Sequence, residues 1–235
     1  MKAMAWITAL LAITFAISPF FANPFTGFRA DQLPIPQVDP PIQPAGYAFS
    51  IWGVIYLWLI VSGLYGAIKR ADDPAWQATR PWLIVSLLVG TFWIGIANAS
   101  VFWATVTIWI MLATALGALI ASPASDRWLL RAPIGLYAGW LSAASFVALS
   151  ATLAGNGVFT DSYGWALILI PAALVLAAVV QLTQKSAPEY GIAVAWALVA
   201  ITVANGSAVL TVTLLAAAAA AMMAALAIRS ATLSA

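Results

Sequence analysis

The stretch PWLIVSLLVGTFWIGIANA (residues 81–99), separated by Ser100 alone from VFWATVTIWIMLATALGALIA (residues 101–121), contains no Lys, Arg, Asp or Glu. About 20 apolar residues cross the hydrocarbon core of a bilayer as a helix, and a charge near the midplane costs several kcal/mol. Each half is therefore long enough to span a membrane. The turn at Asn98-Ala99-Ser100 is so tight that the two spans read as an antiparallel hairpin. Outward from this pair the pattern repeats, with uncharged segments over residues 3–22, 47–68, 132–154, 163–183, 190–204 and 207–228. The sequence thus predicts about eight transmembrane helices, the seventh being the shortest. The fold class expected is all-α, a polytopic membrane helix bundle forming a single integral membrane domain over residues 1–235.

Composition agrees. Hydrophobic residues make up 64% of the chain and charged residues 7%, against about 25% charged in an ordinary soluble domain. No soluble fold could cover that surface. The chain has no Cys and no His, which removes disulfides, thiolate chemistry, iron–sulfur ligation and the usual metal ligand and general base. No lysine lies within a span, excluding a retinal Schiff base. No carboxylate lies there either, which counts against proton-coupled transport. Asp31, Asp39 and Asp161 fall in loops with no nucleophile or metal partner in view. Neither enzyme activity, catalytic residues, a metal site nor a cofactor is expected.

Threaded through eight spans, Lys2, Lys69, Arg70, Arg80, Arg127, Arg131, Lys185 and Arg229 fall on one side, and only Arg29 falls on the other. By the positive-inside rule both termini are cytoplasmic, and the expected location is a bacterial inner membrane. Lys2 followed by an apolar run ending near Ala22 also fits a signal peptide, but Phe20 stands at the minus-three position, where a small residue is wanted. Retention as a helix is the better reading.

The longest loop, residues 23–46, faces outward and holds Pro24, Pro34, Pro36, Pro40, Pro41 and Pro44. Proline at that density forms an extended, semi-rigid strap. It is either a solvated linker or a lid over the bundle's outer mouth, and its length favours the lid, since bundle connections usually need only about 2 to 8 residues. The inward loops Lys69–Arg80 and Ser122–Arg131 read as solvated connectors. Asn98 and Asn205 each mark the outward end of a hairpin, where the amide caps backbone groups or, less directly, touches a ligand. The Ala216–Ala221 run and the Gly135/Gly139 pair offer smooth surfaces for close helix packing.

Twelve tryptophans are present. Trp6, Trp76, Trp82, Trp128 and Trp165 sit near span ends, as an interfacial belt would place them. Trp52, Trp58, Trp93, Trp109, Trp140 and Trp196 lie deeper. A deep Trp needs a partner for its indole N–H or a cavity to face, so several on different helices suggest an aromatic-lined pocket. In the second span Tyr47, Phe49, Trp52 and Tyr56 follow closely, with Trp52 and Tyr56 on one helix face at i, i+4. They suit a flat hydrophobic ligand below the strap, or simply pack helices. Trp93, Asn98 and Trp103 at the first hairpin, with Trp140 on span five and Trp196 and Asn205 on span seven, complete the candidate ligand-binding set.

The block Pro40-Pro41-Ile42-Gln43-Pro44-Ala45-Gly46-Tyr47-Ala48-Phe49-Ser50-Ile51-Trp52-Gly53-Val54-Ile55-Tyr56-Leu57 resembles the junction of first loop and second helix in the TspO/MBR family of tryptophan-rich sensory proteins, which includes the mitochondrial translocator protein. The matching elements are Pro40, Pro41, Phe49, Trp52 and Tyr56, and the likeness is to a divergent, larger branch. The resemblance implies a TspO-like core, five helices in the family, and an aromatic pocket closed by the first loop that takes porphyrins, sterols or synthetic aromatic ligands. Without histidine, a tetrapyrrole would be held by ring stacking and edge contacts, its propionates met by Arg29 or by backbone donors.

The function expected is that of a membrane-embedded sensor, carrier or binding protein for an apolar or tetrapyrrole-like molecule of the porphyrin, sterol or carotenoid class. The alternatives are a passive permease, with a polar path through Ser86, Thr91, Ser142, Ser145 and Thr202, and a structural subunit of a membrane complex. The partners expected are that hydrophobic small molecule and the lipid bilayer, with a homodimer open and nucleic acid excluded.

Overall fold

The computed structural model describes residues 2–234. Among them eight α-helices follow in order: α1 Lys2–Ile17, α2 Ile51–Lys69, α3 Pro74–Ala99, α4 Val101–Ala121, α5 Ala132–Gly155, α6 Ser162–Thr183, α7 Pro188–Asn205 and α8 Leu210–Ser234. All eight, with their flanking turns, are long and apolar enough to cross a membrane, and the protein is an integral membrane protein. Their starts carry ordinary signals. The Asp73 carboxylate accepts from the Ala75 N–H with Pro74 at the first helical position, Ser100 caps α4 through the Trp103 N–H, and Asp161 caps α6 through the Gly164 N–H. Several boundaries differ from the sequence expectation, and α3 begins at Pro74, ahead of the expected start at residue 81, so much of the expected Lys69–Arg80 connector is helix. A π-helical turn, Arg127–Arg131, carries the fifth span further toward the charged end, and α8 starts only at Leu210, after a turn in which Gly206 takes φ +48°.

The helices form two rings that share one member. In the first, α1 packs on α2 and α3, α3 on α4, α4 on α5, and α2 closes back on α5. In the second, α5 packs on α6 and α7, and α8 joins those two. Thus α5 is a wall of both rings, and its side chains from Ala132 to Ser142 are all buried. That burial explains a sequence apolar all round, with no outward polar stripe. Gly139 permits the closest approach, because a Cβ there would run into the backbone carbonyl of Tyr190 on α7. Leu57, Phe92, Ile120, Val175 and Leu214 turn outward from their helices, as lipid contact requires.

The charged end is more ordered than solvated connectors would be. Arg80, only 2% exposed, donates to the carbonyls of Gly66, Arg70 and Ala71 at distances of 2.8 to 3.1 Å, closing the end of α2. Arg131 donates to the carbonyl and hydroxyl of Ser122 beyond α4 and to Gln184 beyond α6. Helix ends leave carbonyls without partners, and inside a bundle a guanidinium supplies the donors that water cannot. Asp126, at φ +52°, accepts from the Arg70 Nε at 2.7 Å and from the Trp76 indole at 3.0 Å. Trp76 is therefore buried against this carboxylate, a correction to its expected place in an interfacial belt. Arg127 pairs with Glu189 at 2.5 Å, and Glu189 is a buried carboxylate in the first turn of α7.

Candidate functional site

At the end of the first ring opposite this charged cluster lies a cavity of about 230 Å³. Phe15 of α1, Trp52 and Tyr56 of α2, Trp93 of α3, Met111 of α4 and Trp140 of α5 form its walls. The strap roofs it with Pro24, Phe25, Phe28, Pro40, Gln43 and Pro44. Small residues of α5, among them Ala144, Ala148 and Ala151, leave the space open, and Ala197 and Ile201 of α7 complete the wall.

The rings are arranged in contact. Trp52 and Tyr56, neighbours on one helix face at i, i+4, stack at 5.1 Å and 20°. Phe15 meets both edge-on at 5.7 and 5.0 Å, and Trp140 meets Trp52 edge-on at 6.2 Å. Gly90 makes room for Phe15, since a Cβ there would lie 2.8 Å from the Phe15 ring. Phe25 in the strap meets Trp93 at 5.0 Å, so the roof and wall share an edge-to-face contact.

The polar groups divide into two sets. Trp93 donates its indole N–H to the Ala104 carbonyl, and Ser86 joins Tyr137 to the Met111 carbonyl, so these are satisfied within the protein. The indole N–H groups of Trp52 and Trp140 and the hydroxyl of Tyr56 have no hydrogen-bond partner among the described residues. No Lys, Arg, Asp or Glu lines the cavity. Arg29, the one cation of the strap, is exposed and tied to Asp31 at 3.1 Å, so the structure does not bring it to the propionate-binding position that was expected of it.

Three tie-downs hold the strap. At its start, Gln32 donates to the carbonyls of Ala97 and Asn98 at the end of α3, and Asn98 returns a bond to the Asn23 carbonyl. In the middle, the Ile35 N–H reaches the Gly155 carbonyl at the end of α5. At its end, two bonds run between strap and α7, Asn205 to the Pro41 carbonyl at 2.7 Å and the Ala45 N–H to Ala200 at 3.1 Å, and the turn that follows adds a third, the Trp196 indole to the Ala48 carbonyl at 3.0 Å.

Of the ten residues expected to form the site, Phe49, Trp52, Tyr56, Trp93 and Trp140 come together around the cavity. Tyr47 and Trp196 pair edge-to-face at 5.4 Å beside it, and Asn98 and Asn205 hold the strap. Trp103 stands apart, 58% exposed on α4 against Phe102. Sequence reasoning missed Phe15, the strap rings Phe25 and Phe28, and the α7 residues Ala197 and Ile201. Phe25 and Phe28 carried a signal, being rings set within a proline-rich loop.

Residues 2–229 match the model of the TSPO-like protein family. The chain belongs to that family. No curated protein and no solved structure was found to match it. In this TSPO-like chain the block from Pro40 to Leu57 supplies part of the roof and two rings of the aromatic stack, Trp52 and Tyr56, while of the last three helices only α7 reaches the cavity, through Ala197 and Ile201.

Proposed function

We propose that this TSPO-like protein is a membrane sensor or carrier that takes an apolar small molecule into the aromatic cavity beneath the strap. The observation that carries the reading is the stack of Phe15, Trp52, Tyr56 and Trp140, closed above by a loop bonded to three helices. Flat apolar ligands gain from both ring contact and exclusion from water. At about 230 Å³ the closed cavity is smaller than the roughly 300 to 1,000 Å³ typical of drug-sized ligands. A porphyrin, sterol or carotenoid would therefore enter as the strap lifts, whereas a smaller molecule fits beneath it.

Passive permeation has less support. Thr91, Ser142 and Thr202 bond back to carbonyls of their own helices, Ser86 and Ser142 also bond tyrosine hydroxyls, and Ser145 reaches the Ile108 carbonyl. Those hydroxyls are satisfied within the protein, which weighs against a continuous polar path. We read the strap as lying outside a bacterial inner membrane with both termini in the cytoplasm, a reading that the positive charge bias of the opposite end supports.

The test is tryptophan fluorescence of the purified protein in detergent, titrated with protoporphyrin, a sterol and a carotenoid. Saturable quenching by at least one, weakened by Trp52→Ala, is the expected result. Absence of saturable change with all three overturns the reading.

A further inference from the structure

We propose, building on the binding role just described, that the cavity selects uncharged ligands bearing a hydrogen-bond acceptor and discriminates against carboxylates. Three observations converge on this. First, no charged side chain lines the space, and the polar groups contributed by the strap, Asn23, Gln37 and Gln43, are neutral amides or backbone. Second, Arg29 already has Asp31 as its counter-ion and does not reach the lining. Third, the unpartnered groups on the aromatic wall are donors: two indole N–H groups, of Trp52 and Trp140, and the hydroxyl of Tyr56.

An indole nitrogen can donate and cannot accept, so the wall asks for a ligand oxygen with a free lone pair. A carbonyl, ether or hydroxyl meets that demand with no net charge. A carboxylate also accepts hydrogen bonds, but it must leave water for an apolar chamber with no cation to face it, a transfer far more costly than that of a neutral group. The same chemistry separates two forms of a tetrapyrrole: the esters keep the acceptor oxygens without the charge, and the free propionates carry charge that the cavity cannot compensate. Selection here therefore acts on ligand charge ahead of ring shape.

Retinal, retinol and retinoic acid share one apolar skeleton and differ at the polar end, so they isolate charge from size. Tryptophan quenching of the full chain in detergent is read at about pH 9, well above the usual carboxylate range. The expected result is saturable binding of retinal, with retinoic acid weaker by tenfold or more. Tyr56→Phe is expected to weaken retinal several-fold while leaving the thermal unfolding midpoint in place. Retinoic acid binding as tightly as retinal overturns charge selection and leaves the binding role standing. Unchanged retinal affinity in both Tyr56→Phe and Trp140→Phe overturns the donor assignment. Absence of saturable quenching by all three compounds removes the binding role for molecules of this size, and charge selection with it.

Discussion

Asp126 shows how much one side chain can organise. Its backbone sits in the left-handed region, which Asp tolerates better than most residues, and its carboxylate joins the Arg70 guanidinium to the Trp76 indole. The hydrogen bond from Arg70, followed by that from Trp76, holds the Asp126 carboxyl below its usual range. A carboxyl with a depressed folded-state pKa favours the folded form above its unfolded value, and that contribution is lost as pH falls through the depressed value. The midpoint of thermal unfolding in detergent should therefore drop on acidification below about pH 4. In Asp126→Asn the drop should be shallower and the neutral-pH midpoint lower. Gly139 sets a second residue-scale expectation: Gly139→Ala places a methyl against the Tyr190 carbonyl, and overpacking of this kind costs about 1 to 3 kcal/mol, read as a lower midpoint. At this scale the sequence was partly legible. The i, i+4 spacing of Trp52 and Tyr56 was enough to place both rings on one helix face, while their stack also depends on side-chain rotamers that spacing does not carry. Phe15 could not be foreseen, since its place depends on Gly90 of another helix leaving room.

Among the elements, the strap and α7 depend on each other. The strap is drawn from residues before α2, yet it and the turn that follows it make three bonds to Trp196, Ala200 and Asn205 of α7, which belongs to the second ring. Asn205→Ala removes the side-chain bond to the Pro41 carbonyl, a loss on the order of 1 kcal/mol for one hydrogen bond. Hydrogen exchange at the Ala45 amide should then quicken several-fold, while Gln32, at the strap's other anchor, keeps its wild-type rate. Equal rates at Ala45 in both proteins would show that Asn205 does not hold the lid. The eight spans were legible because uncharged runs of membrane length leave little choice of structure, and the hairpin at Ser100 followed from having one residue to turn in. The tie-downs were not legible. Asn98 and Asn205 stood out by position, but their partners are backbone carbonyls of a loop distant in sequence, and a carbonyl carries no residue-specific mark. Arg80 and Arg131 looked like markers of orientation, and only the packed helix ends reveal them as caps.

At the scale of the molecule, all basic side chains but Arg29 belong to segments at the end away from the strap, and the ion pairs Lys2–Asp72, Arg70–Asp126 and Arg127–Glu189 gather there. A chain without cysteine permits a direct test of sidedness. Val38→Cys, at a strap position 73% exposed, should react with a membrane-impermeant maleimide added outside intact cells, and Ser125→Cys should react only after lysis. The reverse pattern would invert the proposed orientation. The order in which the chain is made adds a last consequence. The roof over the cavity emerges early, but one of its fastenings, Asn205, lies 164 residues after Pro41. At about 5 to 20 residues per second this interval lasts roughly 10 to 30 seconds. For that time the nascent protein has a ceiling without its final rivet, and a greasy passenger could board before the hatch is sealed.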